Sequence, residues 1–299
     1  MNKSHVAVLS GFLVSLLFGF TFMFITIGLK YTTPNILLAY RFGIAFIILT
    51  ILIKLKIFRV NFKNKKIFPL FLLALINPVI NFITEANSLR YITTIQVAIF
   101  LSLAPIVVLI LSRILLKESV TKAQTTFIIL SVAGVLISIL DSIKSQENTS
   151  MIGIILIIIT VITIAFHGIL TKHLSKYNYT ANEMTYVMVT LGFATFLTMS
   201  VISSPIKEII APIYEIEFML SVLYLAVGAS IIAYGLYNFM YTQISTAATS
   251  VFINLTTVVS TIVGVVLLNE TLNIMQIVGC VLIVAGVVGT NIIEYKKRR

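Results

Sequence analysis

The chain has few of the residues that catalysis, metal binding and cross-linking require. It has one cysteine, Cys280, in 299 residues, so no intrachain disulfide can form and no cysteine-based metal site can be built. It has three histidines, and its only aspartate is Asp141. Intramembrane hydrolysis needs a His/Asp metal cluster, a Ser–Lys or Ser–His pair, or two close aspartates. His5 and His173 fall at or beyond the ends of apolar runs, Asp141 falls in a polar stretch, and only His167 lies well inside a run, so no catalytic residue or metal site is expected. No phosphate-binding loop of the GxxxxGK[ST] type occurs, so no nucleotide or other cofactor is expected and any work must draw on a gradient.

Charge is scarce as well. Charged residues are 10% of the chain against 59% hydrophobic, which leaves too little polar surface to coat a water-soluble globule of this length. Alternation in segments of roughly ten residues, the mark of a membrane β-barrel, is missing. The apolar runs are instead near the ~20 residues that a helix needs to cross hydrocarbon. They predict an all-α integral membrane protein with spans at about 6–29, 35–53, 67–88, 93–116, 124–140, 151–171, 183–203, 216–240, 246–268 and 274–293. The first, Val6 to Leu29, is too long for a signal-peptide core and lacks a small-x-small cleavage site, so it reads as a span. The formal charge of +11 does not point to nucleic acid. With the N-terminus cytoplasmic, sixteen bases fall on the inner side and four on the outer, the bias that orients membrane proteins, and both termini are predicted inside the cytoplasmic membrane.

What the chain has is a duplication. Leu115 to Ile137 recurs 152 residues later as Leu267 to Gly289, with nine identities that include Glu118/Glu270, Gln124/Gln276 and Ala133-Gly134-Val135/Ala285-Gly286-Val287. Five spans per half, an odd number, make the two halves enter the membrane from opposite sides, which predicts an inverted repeat of 1–145 over 146–299. Glu118 and Glu270 then lie on opposite faces and read as elbow residues. The segment 141–150 joins the halves.

Ionisable groups inside a membrane helix need a partner or a wet cavity. Arg41 and Glu85 fall at similar depth on antiparallel spans and can pair. Asn77, Asn81 and Glu85 follow at i, i+4 and i+8, with Ser88 after them, so one face of the third span is polar, and Pro78 breaks its backbone hydrogen bonding. The stripe predicts a cavity wall, with interhelical hydrogen bonding as the alternative. Tyr234, Tyr237, Asn238 and Tyr241 share a face of the eighth span, with Ser230 a turn earlier; Tyr241, near the span end, reads as interfacial. Gln96 and Asn254 are costly to leave unsatisfied in apolar spans. The expected substrate-binding set is therefore Arg41, Asn77, Asn81, Glu85, Gln96, Tyr234, Tyr237, Asn238 and Asn254, with Glu85 and His167 as the groups that could carry a coupling proton. Gly11, Ser15 and Gly19 form a small-residue stripe suited to close helix packing, and Ala285 and Gly289 a shorter one that could also meet another subunit.

The chain resembles the drug/metabolite transporter superfamily, in its EamA-type branch. The resemblance rests on Ala39-Tyr40-Arg41-Phe42, on Ser102-Leu103-Ala104-Pro105 followed by Leu115-Leu116-Lys117-Glu118 and Ala133-Gly134-Val135, and on Leu268-Asn269-Glu270 with Ala285-Gly286-Val287 in the second copy. One departure stands out: the family pattern has a proline in the ninth span too, and the place matching Pro105 here is Thr257. The resemblance implies a ten-helix secondary carrier, monomeric or homodimeric in the bilayer, that exports a small polar or zwitterionic, amino acid-like metabolite. A proton-coupled carrier of cationic or amphiphilic drugs, or of a choline-like cation, is the alternative, and a channel would show a filter-like motif that this chain lacks.

Overall fold

The computed structural model describes residues 3–116, 121–144, 150–244, 246–269 and 271–297. Among them there is helix and no strand: α1 (Lys3–Gly28), α2 (Pro34–Lys54), α3 (Phe68–Ser88), α4 (Thr94–Leu101 continued by Ala104–Leu116), α5 (Lys122–Lys144), α6 (Met151–Ser175), α7 (Ala181–Ser203), α8 (Ile216–Gln243), α9 (Thr246–Leu268) and α10 (Ile274–Lys297). Seven helices among the described residues are long and apolar enough to cross a membrane, and Leu255–Leu268 and Ile274–Gly286 are shorter apolar helical stretches. Glu118 and Glu270 lie outside the described residues.

Capping residues mark where several helices begin. Thr93 and Gln96 form a reciprocal box at the start of α4, and Thr180 and Glu183 do so at α7. Gln124 bonds Thr121 in both directions at α5, and the Gln276 side chain accepts from Asn273 N at α10. Each satisfies backbone N–H groups that would otherwise be orphaned at a helix start. Pro34 opens α2, where its missing N–H costs nothing.

Three helices depart from regular α geometry, and two of the departures match in kind. In α3 the turn at Leu75–Ile80 is π-helical, with Asn77 in an extended conformation (φ −142°, ψ 113°) beside Pro78, and α-helix resumes at Asn81. In α8 the stretch Tyr224–Ala233 is π-helical and α-helix resumes at Tyr234. In α4 the helix breaks at Ser102–Leu103, just before Pro105, whereas α9 runs without a break through Thr257. The departure from the family pattern therefore has a physical consequence: without the ring and missing N–H of proline, α9 stays continuous.

Close packing follows the small residues. The Gly11–Ser15–Gly19 stripe of α1 lies against α9: a Cβ added at Gly19 would collide with the Val259 side chain, and Ser15 Oγ donates to Phe252 O at 2.8 Å. The α5/α10 contact uses the glycines of the repeat itself, since a Cβ at Gly134 would lie 2.7 Å from Gly279 O and one at Gly286 2.5 Å from Phe127 O. Gly289 meets the Phe127 ring of α5, while Ala285 of the same stripe is exposed.

A candidate binding cavity between the halves

A cavity opens in the middle of the bundle where α1, α2, α3, α4, α6, α8 and α9 meet, with room of about 70 Å³ for water-sized molecules. That holds a few waters. Its polar wall comes from α2 and α3 and carries Arg41, Asn77, Asn81 and Glu85; its aromatic wall includes Phe18, Phe82, Tyr234 and Tyr237.

Arg41 is fully buried. Its Nε donates to Ser230 Oγ at 2.8 Å, and its guanidinium carbon lies 4.1 Å from the Phe82 ring centroid and 5.4 Å from that of Phe42. Nη1 and Nη2 have no partner among the described residues. Stacking on a ring is worth roughly 0.5–2 kcal/mol and one hydrogen bond to a charged group about 1.5–3 kcal/mol. Together these fall short of the several kcal/mol of hydration a buried cation gives up, so the guanidinium is left with unmet demand for acceptors.

Glu85, 6% exposed, faces the same cavity, and no described residue donates to its carboxylate. Arg41 and Glu85 do not come within ion-pairing distance; the one salt bridge among the described residues joins Lys65 and Glu183. The direct pair that their depths allowed is thus not formed, because equal depth says nothing about where on the helix circumference each side chain points. A guanidinium and a carboxyl group thus share one small chamber without pairing at contact.

The remaining expected residues divide. Asn77 lines the cavity, its Oδ1 unpartnered. Asn81 also lines it, while its Nδ2 donates to Thr163 Oγ1 at 2.9 Å and Thr160 O at 3.3 Å on α6, so it serves both as wall and as interhelical bond. Ser88 is buried and donates to Glu85 O. Tyr234 and Tyr237 line the cavity. Asn238 does not; it is buried against α7, donating to Thr185 Oγ1 at 2.9 Å. Gln96 is buried in its capping box, away from the cavity wall. The Asn254 side chain lies outside what the structure describes. His167 is fully buried beside the cavity, stacked on Tyr237 (centroids 6.0 Å apart, 18°) and edge-on to Tyr234 and Tyr241, with the Asn238 side chain as its polar neighbour.

Tyr241 is a correction. It is not at an interface but completely buried, its hydroxyl 2.8 Å from that of Tyr237. Gly168 of α6 makes this possible, since a Cβ there would meet the Tyr241 hydroxyl at 2.6 Å. Residues that the sequence reading passed over are the aromatic wall, Phe18 and Phe82, and Ile164 of α6. Periodic apolar residues carry no mark that separates cavity lining from core.

Comparison with known proteins places this arrangement. The EamA-like transporter family matches residues 5–140 and again 151–292. The uncharacterized transporter YcxC of Bacillus subtilis (strain 168) is 30% identical over 303 residues, covering 100% of this chain and 97% of its own. The uncharacterized transporter YyaM of the same organism is 28% identical over 248 residues, covering 81% of this chain and 79% of its own. A solved protein crystal structure shares the fold with a TM-score of 0.71 at 14% identity, over 99% of both chains.

Proposed function

The chain belongs to the EamA-like transporter family and is a multi-pass membrane transporter, and from that premise we propose that it is a secondary active carrier of a small zwitterionic, amino acid-like metabolite. In this reading ten spans form two inverted halves, 1–145 and 146–299, with both termini cytoplasmic and export as the direction. The twofold family match, the sixteen-to-four basic bias and the matching π-helical stretches of α3 and α8 support it.

The observation that carries the substrate class is that the Arg41 guanidinium and the Glu85 carboxyl face one cavity without pairing. A free guanidinium fork takes a carboxylate in two parallel hydrogen bonds, and a free carboxylate takes an ammonium. A molecule bearing both ends satisfies both residues at once and adds no net charge to a low-dielectric chamber. The cavity is smaller than the ~300–1,000 Å³ usual for ligand sites, so substrate entry goes with separation of the halves around it.

Coupling is assigned to Glu85. Substrate ammonium and proton compete for its carboxylate, so loading one releases the other, and that exclusive occupancy ties a proton gradient to transport. His167 is the second candidate for the proton.

A second reading is favoured by the same free Glu85: with Tyr234 and Tyr237 nearby, the site suits a choline-like or amphiphilic cation, since aromatic faces attract cations. The free Arg41 fork argues against a ligand that is only cationic. Thermal unfolding of the purified protein with amino acids, quaternary ammonium compounds and carboxylates separates the two, because a ligand stabilises in proportion to its occupancy. The zwitterion reading expects amino acids to raise Tm and simple cations and anions to fail. Stabilisation by cations alone would give the second reading the site.

A further inference from the structure

The loop 55–67 between α2 and α3, in the first half of the chain, is clasped to the start of α7 in the second. At the centre is Glu183, 1% exposed. Lys65 Nζ donates to its two oxygens at 2.8 and 2.7 Å, and the backbone N–H groups of Asn61 and Thr180 donate at 3.1 and 3.0 Å. Lys65 also donates to Asn178 O at 2.7 Å and lies 5.6 Å from the Tyr179 ring centroid. Two further bonds cross the same seam, Tyr179 Oη to Lys66 O at 2.7 Å and Asn182 Nδ2 to Arg59 O at 3.2 Å.

A capping glutamate is ordinarily a local device, tied to its own helix start. Glu183 does that through Thr180, and the same carboxylate takes a lysine 118 residues distant in sequence. Beneath the clasp α2 and α7 are zipped by stacked rings, Phe46 on Phe193 at 5.6 Å and Phe42 on Phe196 at 5.6 Å, up to the level of Arg41 and Phe82. The opposite face is joined without an ion pair among the described residues: Tyr31 Oη donates to Glu217 Oε2 at 2.7 Å, Tyr40 Oη to Ile209 O at 2.8 Å and Ser150 N to Tyr91 O at 3.4 Å, and Tyr40 meets the Phe218 ring edge-on.

We propose that Lys65 and Glu183 are gate residues: their ion pair locks the two halves together on the loop 55–67 face and breaks when the central cavity opens there. This rests on the carrier reading. The buried carboxylate is well satisfied only while the loop is docked, so parting the seam must take Glu183 from four hydrogen bonds to its own cap, and the closed state is favoured until substrate or a proton rebalances the halves. The other face has no such ion pair among the described residues, which makes that side the easier to open.

The test needs no substrate. In the full-length protein with Cys280→Ser and a reporter Ile164→Cys in the cavity wall, a membrane-impermeant methanethiosulfonate reagent is applied to right-side-out and to inverted membrane vesicles. Glu183→Gln removes the charge but keeps a good capping residue, since Gln occupies the same capping position at α4, α5 and α10. Glu183→Gln and Lys65→Met are each expected to speed labelling from the loop 55–67 face by about tenfold and slow it from the other face, because a shifted two-state equilibrium moves both accessibilities oppositely. Lys65→Arg, which keeps the pair, stays at the parent rate. Unchanged rates in both disrupting variants, with the reporter labelled normally from one face, would overturn the gate and leave the carrier reading standing. Equal labelling from both faces in the parent, or none from either in any variant, would overturn alternating access and the gate together.

Discussion

The two halves present unlike walls to one cavity. The first offers charge and amides, Arg41, Asn77, Asn81 and Glu85, on α2 and on α3 where a π-helical turn gives way to α-helix. The second offers aromatic hydroxyls, Tyr234 and Tyr237, on α8 where another π-helical stretch gives way in the same manner. Similar backbone devices thus carry different chemistry. Duplication supplied the frame, and divergence left the ionisable groups in the first half and the tyrosine hydroxyls in the second, while Phe18 and Phe82 of the first half complete the π-rich surface against which charge is felt strongly, there being little water to screen it. The halves meet directly at Arg41 and Ser230, so the aromatic half positions the cation of the polar half.

Changes on the polar wall should therefore outweigh changes on the aromatic wall. The largest effect is expected of Glu85→Gln: pH-driven uptake into proteoliposomes is lost, while exchange at saturating substrate continues, because exchange cycles the loaded carrier without net proton movement. Full retention of driven uptake would move the proton to His167. Next, Arg41→Gln should weaken binding of a zwitterion by about a hundredfold, the worth of a lost charge-assisted bond pair, read by titration of the Tm shift. An unchanged affinity would mean the guanidinium is structural. Tyr237→Phe removes one hydroxyl of the Tyr237–Tyr241 pair and should cost about 1 kcal/mol of stability with affinity altered only a few-fold; a loss as large as that of Arg41→Gln would erase the distinction between the walls. Smallest, Gln96→Ala should lower stability by about 1 kcal/mol through the lost cap and leave affinity unchanged, and a binding defect would return Gln96 to the site.

Much of this was legible in the sequence because hydropathy and period are local properties. The helices follow from apolar runs, and the polar face of α3 follows from spacing alone. The capping role of Gln96 was readable from its position three residues after Thr93, a pattern that Thr121/Gln124 and Thr180/Glu183 repeat, but its desolvation cost in an apolar run drew attention to the site instead. Tyr241 was misplaced because burial at a helix end depends on what crosses it, here Gly168 of another helix. The separation of Arg41 from Glu85 and the meeting of Lys65 with Glu183 depend on how helices rotate and dock over long sequence distances, which no local pattern encodes.

The central claim is that Arg41 and Glu85 stay apart so that a substrate can join them. It is tested most directly by comparing, for the best stabilising amino acid, the free form, its methyl ester and its N-acetyl derivative against the parent, Arg41→Gln and Glu85→Gln proteins, with Tm as the readout. The account predicts that only the free form stabilises the parent, that Arg41→Gln no longer distinguishes it from the ester, and that Glu85→Gln no longer distinguishes it from the N-acetyl derivative. Ester and N-acetyl derivative binding the parent as well as the free amino acid would contradict it.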